Sequence, residues 1–405
     1  MKKFIMYGAG NIGRGFIGPT FAFEGYSVGF VDINQQVISR LNADKEYSVE
    51  VVTTESSTIQ KVQNVYGIDG NDLELVASEI ASADVMATAI GVNVLKYIAK
   101  PISLGLKKRF EQNAKPFNII ICENLIGADE FLKGLIKEQL PEYAERIDKE
   151  IGFVEASIGR MVPALSPEMA KDNPLFIRVE PYNVLPVDKD AFKGEIPNVK
   201  KLYPYSPFNL FIQRKLFMHN MSHALTAYLG NLRGYEYIYQ AIADFDIKYC
   251  AVKALTQSAR AIAKENGADI DFLLSHADNL IYRFTNVALG DTVERVGKDT
   301  VRKLGSNDRL IGAINLCEKH GLNCEYLCLG VAAATLFCPE QDAKSVELNA
   351  FAKQNGIENT LQVYSDYNGK NLALIKELYE RLIKGESVAE LINYCDKLVG
   401  QEIRV

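Results

Sequence analysis

Lys215, Asn220 and His223 place an amine, an amide and an imidazole in one apolar stretch that runs on to Gly230. If that stretch is a helix at about 100° per residue, with Lys215 at zero, His223 falls near roughly 80° and Asn220 near roughly 140°. One face then presents all three groups. Such a set suits alcohol oxidation without a metal, in which a hydroxyl loses its proton while its carbon gives up hydride. A lysine accepts that proton if burial or a neighbouring positive charge brings its pKa well below the ordinary value of about 10.4. Asn220 and His223 can hold the substrate oxygen and support developing alkoxide charge. The plainer alternative is a solvated surface lysine beside a structural histidine.

Hydride needs an acceptor, and the N-terminal segment offers a place for one. Gly8-Ala9-Gly10-Asn11-Ile12-Gly13 matches GxGxxG, follows the apolar run 3–7 and opens a helical pattern over 11–25. Gly8 permits the tight turn, Gly10 lets backbone approach a pyrophosphate, and Gly13 lets the helix pack close to the sheet. The helix N-terminus leaves N–H groups free for phosphate, with Asn11 and Ile12 in its first turn, and Arg14 can add a cation. Asp32 follows 19 residues after Gly13, at the end of a second strand. A carboxylate there accepts from the ribose hydroxyls and repels a 2′-phosphate, which favours NAD over NADP. Thr88 through Val92, with Gly91, end another strand and can line the nicotinamide ribose path; a plain strand-to-helix turn explains them equally well.

The elements that must position these groups read as two parts. Strand patterns at 3–7, 27–31, 84–90, 117–122, 151–157 and 175–187 alternate with helical stretches such as 35–43, capped by Asn34, and 93–112. Pro19 should make the first helix start tight and kink. After the Pro204-Tyr205-Ser206-Pro207 junction the periodicity is helical, with long segments at 208–230, 244–265, 306–319, 342–354 and 370–384. The expected fold is an α/β Rossmann domain with a doubly wound, mostly parallel sheet over 1–204. A mainly α-helical C-terminal domain over 205–405 should carry substrate and catalysis.

On these residues the chain resembles the polyol-specific long-chain dehydrogenase/reductase family. The pattern Lys215-x4-Asn220-x2-His223 within RKLFxxNxxHALTAYLG looks like its signature. Gly8 to Gly18 (GAGNIGRGFIG) resembles the branch that oxidises mannitol 1-phosphate at C5. The likeness extends through Cys122-Glu123-Asn124, Gly159 to Pro163, Val187-Asp188-Lys189 and Asp291 to Leu310. It implies metal-independent, NAD-linked and reversible oxidation of D-mannitol 1-phosphate to D-fructose 6-phosphate. By the same resemblance Lys215 is the general acid/base, Asn220 and His223 orient substrate, and Asn124 joins Asn220 on the reacting oxygen. Arg295 and Lys303 match substrate-facing cations. Arg302 and Arg309 are further candidates, with pairing to Asp299 or Asp308 as their alternative. The sequence departs from the family at Gly159, where an aspartate often stands, and at Val184-Leu185, where a Glu-Trp pair is expected. Two other readings stand beside this one. The same chemistry could act on an unphosphorylated polyol or sugar acid such as mannitol, altronate or mannonate. Alternatively, the scaffold could be a non-catalytic NAD-binding sensor.

Composition narrows the classes further. The chain has 405 residues, 48% apolar and 24% charged, with a net charge of −6. That is enough to bury a large core, and it gives no general pull toward nucleic acid. No run of 18 apolar residues suggests a membrane span, and Gly8 breaks the N-terminal apolar run too early for a signal-peptide core. Seven cysteines, an odd count without a CxxC pair, fit reduced thiols and a cytoplasmic protein; Cys122 reads as a packed thiol. Four histidines and no HExxH make a metal site improbable. The partner is then a small-molecule substrate, and no sustained heptad marks an oligomer interface.

Overall fold

The computed structural model describes residues 1–163 and 173–402. It divides into two compact units, Met1–Phe208 and Asn209–Val405.

The first unit is built on six parallel strands: β1 (Lys3–Tyr7), β2 (Ser27–Asp32), β5 (Val65–Asp69), β6 (Val85–Thr88), β7 (Phe117–Ile121) and β8 (Ile151–Glu155). Their order is β5-β2-β1-β6-β7-β8. This is the doubly wound order of dinucleotide-binding sheets, whose switch point lies between β1 and β6. Both faces are covered. Phe4, Met6, Val28 and Phe30 point into one apolar layer, and Ile5, Tyr7, Val31 and Met86 into the other. Strands buried on both sides read as the near-continuous apolar runs seen in this sequence. The helix Gln35–Asp44 starts where expected, with the Asn34 side chain accepting from the Gln36 and Val37 N–H groups.

Three features of this unit differ from the sequence expectation. A hairpin of β3 (Glu46–Val52) and β4 (Ser57–Gln63) is inserted between β2 and β5, and joins β9 (Ile177–Val179) in a separate three-stranded sheet. The first helix does not tighten at Pro19. It widens, with a π-helical segment Gly13–Ile17 leading into Gly18–Ala22, and the Gly18 N–H reaches back five residues to the Gly13 carbonyl. Proline has no N–H for the ordinary i−4 bond, and the wider turn just before it absorbs that loss. The stretch expected as one strand over 175–187 is two, β9 and β10 (Leu185–Asp188), the latter paired in parallel with β11 (Leu202–Tyr205).

The second unit is helical. At its centre lies one continuous rod made of Asn209–Gln213, a π-helical segment Arg214–Asn220, and Met221–Leu232. In the last of these every residue from Ala224 to Gly230 is buried, as is Ser222. Helices Phe245–Asn266 and Glu325–Leu336 pack on it, and the second is apolar on all sides because it too is enclosed. The segment expected at 342–354 continues to Ser365, with a break at Gly356, whose φ is +79°. Helices Ile270–Phe284, Ile311–Lys319, Leu372–Ile383 and Val388–Glu402 also belong to the unit. Among the described residues no helix is long and apolar enough to cross a membrane.

Candidate active site

The candidate cofactor-binding residues gather at the carboxyl ends of β1, β2, β6 and β7. Gly8 has φ +108°, and a Cβ there would stand 2.4 Å from the Ala89 carbonyl oxygen. A Cβ on Gly13 would lie 2.0 Å from the Gly8 carbonyl oxygen, so the helix rests directly on the turn. Around Gly10 a Cβ would meet nothing within 4 Å. The outer glycines are thus required by the protein's own backbone, while the middle one borders open space. A pyrophosphate needs that combination: a rigid turn, with one backbone position left bare for close approach.

Asp32 ends β2 with its carboxylate already organised. One oxygen accepts from the Ala9 N–H at 2.8 Å and the other from the Asn34 N–H at 2.9 Å. Each oxygen keeps a further acceptor site for a ribose hydroxyl. Arg14 is placed differently from a phosphate contact. It is buried, with Nε donating to the Ala9 carbonyl at 2.5 Å and Nη1 to the Pro174 carbonyl at 2.6 Å. Burial lowers its pKa, opposed by nearby Tyr47 and Asp32. Its visible role is to brace the glycine loop from behind.

Past β6, Gly91 takes φ +91° with open space around it. The buried Glu123 carboxylate, just beyond β7, accepts from the Ile90 N–H and the Gly91 N–H, both at 2.9 Å. It fixes the backbone of the segment assigned to the nicotinamide ribose. Local sequence carries little sign of this beyond an acidic residue at a strand end. Asn124 follows it and is exposed, and Cys122 is buried among the packed side chains. Arg160 is also buried. Nε and Nη2 donate to the Glu180 carbonyl and Nη1 to the Gly15 carbonyl, and burial brings its pKa down to about 10. A Cβ on Gly159 would press the Tyr182 ring at 3.1 Å, so an aspartate there would have to displace that ring.

The candidate acid/base residues lie in the second unit. Lys215 and Asn220 both fall in the π-helical segment, five residues apart. Where N–H groups reach back five residues, positions five apart come onto the same side of the helix, closer together than the arc of an α-helix allows. The bulge is held by hydroxyls. Ser258, from helix Phe245–Asn266, donates to the Phe217 carbonyl at 2.6 Å, and Ser222 donates to the Met218 carbonyl at 2.7 Å. Lys215 and Asn220 are half-buried. His223 is half-buried one turn on, its ring stacked on Phe284 at 4.8 Å and 15°. Its Nε2 lies 3.4 Å from Asp291 Oδ2. His219, on the inner side, is buried and kept neutral: burial and then the charge of Arg283 push its pKa well below the usual value.

The remaining cations are placed unequally. Arg295 is 51% exposed and pairs through Nη2 with Asp291 Oδ1. Lys303 is buried, and its ammonium is turned onto the Val296 carbonyl. Burial, with the like charges of Arg309 and Arg302, brings its pKa down to about 7. Arg302 pairs with Asp299 and Asp308, and Arg309 with Asp308. Among the described residues no three His, Cys, Asp or Glu side chains gather as a metal site.

Comparison with known proteins follows the same division. The profile of the mannitol dehydrogenase Rossmann domain matches residues 2–201, and that of the mannitol dehydrogenase C-terminal domain matches 208–397. The mannitol-1-phosphate 5-dehydrogenase of Brevibacillus brevis is 37% identical over 358 residues, 88% of this chain and 92% of that protein. A D-sorbitol dehydrogenase solved in substrate-free form has a TM-score of 0.80 at 18% identity, covering 96% of this chain and 94% of that one. Pseudomonas fluorescens mannitol 2-dehydrogenase, solved with NAD and D-mannitol, has a TM-score of 0.75 at 16% identity, covering 98% and 94%. These two structural likenesses speak to the fold.

Proposed function

The chain belongs to the mannitol dehydrogenase family, and from that footing we propose that it interconverts D-mannitol 1-phosphate and D-fructose 6-phosphate with NAD. Residues 1–204 bind the cofactor and 205–405 carry the acid/base chemistry. One observation carries the substrate: the relative that shares 37% identity over 88% of this chain is a mannitol-1-phosphate 5-dehydrogenase.

When bound at the Gly8–Gly13 loop beside Asp32 and Gly91, NAD supplies the acceptor for the hydride that leaves C5. Lys215 takes the hydroxyl proton as that C–H bond breaks, and its amine leaves the step as an ammonium. In the reverse direction the ammonium returns the proton to the new alkoxide. The amides of Asn220 and Asn124 hold the reacting oxygen, and His223 orients it. Arg295 receives the phosphate, since it is half-exposed and planar and can offer two parallel donors. Lys303 is the second cation of this set, buried on the Val296 carbonyl.

NADH consumption followed with fructose 6-phosphate, fructose, tagaturonate and fructuronate tests the proposal. Fructose 6-phosphate should be preferred by about 10- to 150-fold, the value of one charge-assisted contact. Equal rates with fructose would move the assignment to an unphosphorylated polyol, and reaction only with the uronates to a sugar acid. NADH binding with no oxidation of any of the four would leave a non-catalytic NAD-binding protein. In Lys215→Ala, turnover should fall by about a thousandfold with NADH affinity unchanged; near-normal turnover would remove Lys215 from the mechanism.

A further inference from the structure

Asp291 stands between two of the groups assigned to substrate, His223 and Arg295. One oxygen, Oδ2, faces His223 Nε2 at 3.4 Å, and the other takes the Arg295 guanidinium. The carboxylate is only 9% exposed, so its charge is little screened. Burial alone would raise its pKa, but the facing imidazole and guanidinium outweigh that and hold it below the ordinary carboxylate value. Its backbone is pinned on both sides. The Ile238 N–H donates to the Asp291 carbonyl at 2.9 Å, and the next residue, Thr292, bridges to Tyr237. The carboxylate therefore stands on a fixed point while its partners are side chains.

The His223 ring is held by two surfaces. Phe284 stacks on its face and sets the plane of the ring. Nothing in a stack decides which edge points which way, and that choice is left to Asp291. We infer that Asp291 is a positioning residue for the reaction, fixing the edge of the His223 imidazole and linking it to Arg295 through one carboxylate. The inference rests on the reading of His223 and Arg295 given above. A carboxylate facing Nε2 keeps the proton on that nitrogen and leaves Nδ1 to meet the substrate hydroxyl. At 3.4 Å the contact is electrostatic and not a closed hydrogen bond, and the Nε2 atom is buried with no aligned acceptor. A shift of a few tenths of an ångström closes it. Substrate phosphate drawing Arg295 away from Oδ1 would leave the carboxylate free to make that shift, so occupancy at one end of the substrate would tighten the histidine at the other.

A double-mutant cycle tests the link. Asp291→Asn should lower kcat with fructose 6-phosphate by about 10- to 100-fold, with the NADH dissociation constant and melting temperature little changed. In a His223→Ala background the same change should cost less than about twofold. Equal losses in both backgrounds, with an active wild type, would overturn the inference and leave the proposed reaction standing. A second measurement covers the case in which Asp291→Asn fails to fold. With only four histidines, ring 15N resonances can be followed singly. In Arg295→Ala, which frees Oδ1, the His223 ring signals should move while those of His219, His276 and His320 stay. No movement at His223 would overturn the inference. A wild type that oxidises no NADH with fructose 6-phosphate would instead refute the reading of the reaction, and the 15N shifts would still decide whether Asp291 holds His223.

Discussion

Replacing the glycines of the N-terminal loop one at a time separates what the fold requires from what a cofactor requires. A Gly10 methyl meets no protein atom within 4 Å, and its φ lies outside the left-handed region. Gly10→Ala should therefore fold normally, with stability unchanged or raised by about 0.4–1 kcal/mol through the stiffer unfolded chain. The same methyl occupies the space across which a pyrophosphate would approach. Pushing the phosphate away by about 1 Å breaks at least one charge-assisted N–H bond, worth about 1.5–3 kcal/mol. NADH affinity should then fall by roughly 10- to 150-fold. Gly13→Ala is the control of opposite kind. Its Cβ would stand 2.0 Å from the Gly8 carbonyl oxygen, and both partners are backbone. Helix and turn must separate, so the loss belongs with the largest single-residue effects, above about 4 kcal/mol. Thermal melting gives the first quantity and a fluorescence titration with NADH the second. A Gly10→Ala protein that melts normally and binds NADH within twofold of wild type would refute the placement of the pyrophosphate at this loop.

Three further outcomes are expected. Glu123→Gln sets an amide N–H₂ against a backbone N–H where a carboxylate oxygen now accepts; it should cost about 2–4 kcal/mol and weaken NADH binding, as melting and titration together would show. Asp32→Asn removes the charge that faces a ribose 2′-phosphate, so the preference for NADH over NADPH should narrow by at least about tenfold in steady-state assays. Lys303 has a folded pKa of about 7, against an ordinary lysine value near 10.5. Between those values the unfolded chain binds more protons than the folded one, so this residue's penalty is complete below about pH 7 and is relieved as pH rises. The stability of Lys303→Met relative to wild type should accordingly shrink by about 2 kcal/mol from pH 7 to pH 9 in urea titrations, and a gap independent of pH would refute the burial of that ammonium.

Five of the six strands of the doubly wound sheet were legible because they are buried on both faces, as in Phe117–Ile121, where every residue including Asn118 is buried; β5 was not, because only Val65 and Ile68 of Val65–Asp69 are buried. The inserted hairpin was not. In β4 only Val62 is buried, so Ser57–Gln63 shows no alternation to read. The glycine fingerprint carried much of its own geometry, since Gly8 takes a left-handed φ and Gly13 rests on the Gly8 carbonyl within the same motif. Arg14 did not, because its partner Pro174 lies 160 residues away. Lys303 reads as one more cation in a charged run, and only the packing of the whole unit shows it enclosed.

The π-helical turn is the most instructive omission. Lys215, Asn220 and His223 were identifiable by type and spacing, yet an α-helical projection spreads the first two over an arc of about 140°. The protein instead widens the helix across Arg214–Asn220 and draws positions five apart together. Within that turn the Phe217 carbonyl accepts from outside the rod, from the hydroxyl of Ser258, 41 residues on. No local propensity encodes such a contact. The geometry of the proposed acid/base residue is thus tied to a serine distant in sequence. Ser258→Ala should remove that bond, cost about 0.5–1.5 kcal/mol, and lower kcat more than it raises KM for fructose 6-phosphate, because the amine and the amide lose their common face. An unchanged kcat alongside the lost stability would show that the π turn shapes the helix without serving the chemistry.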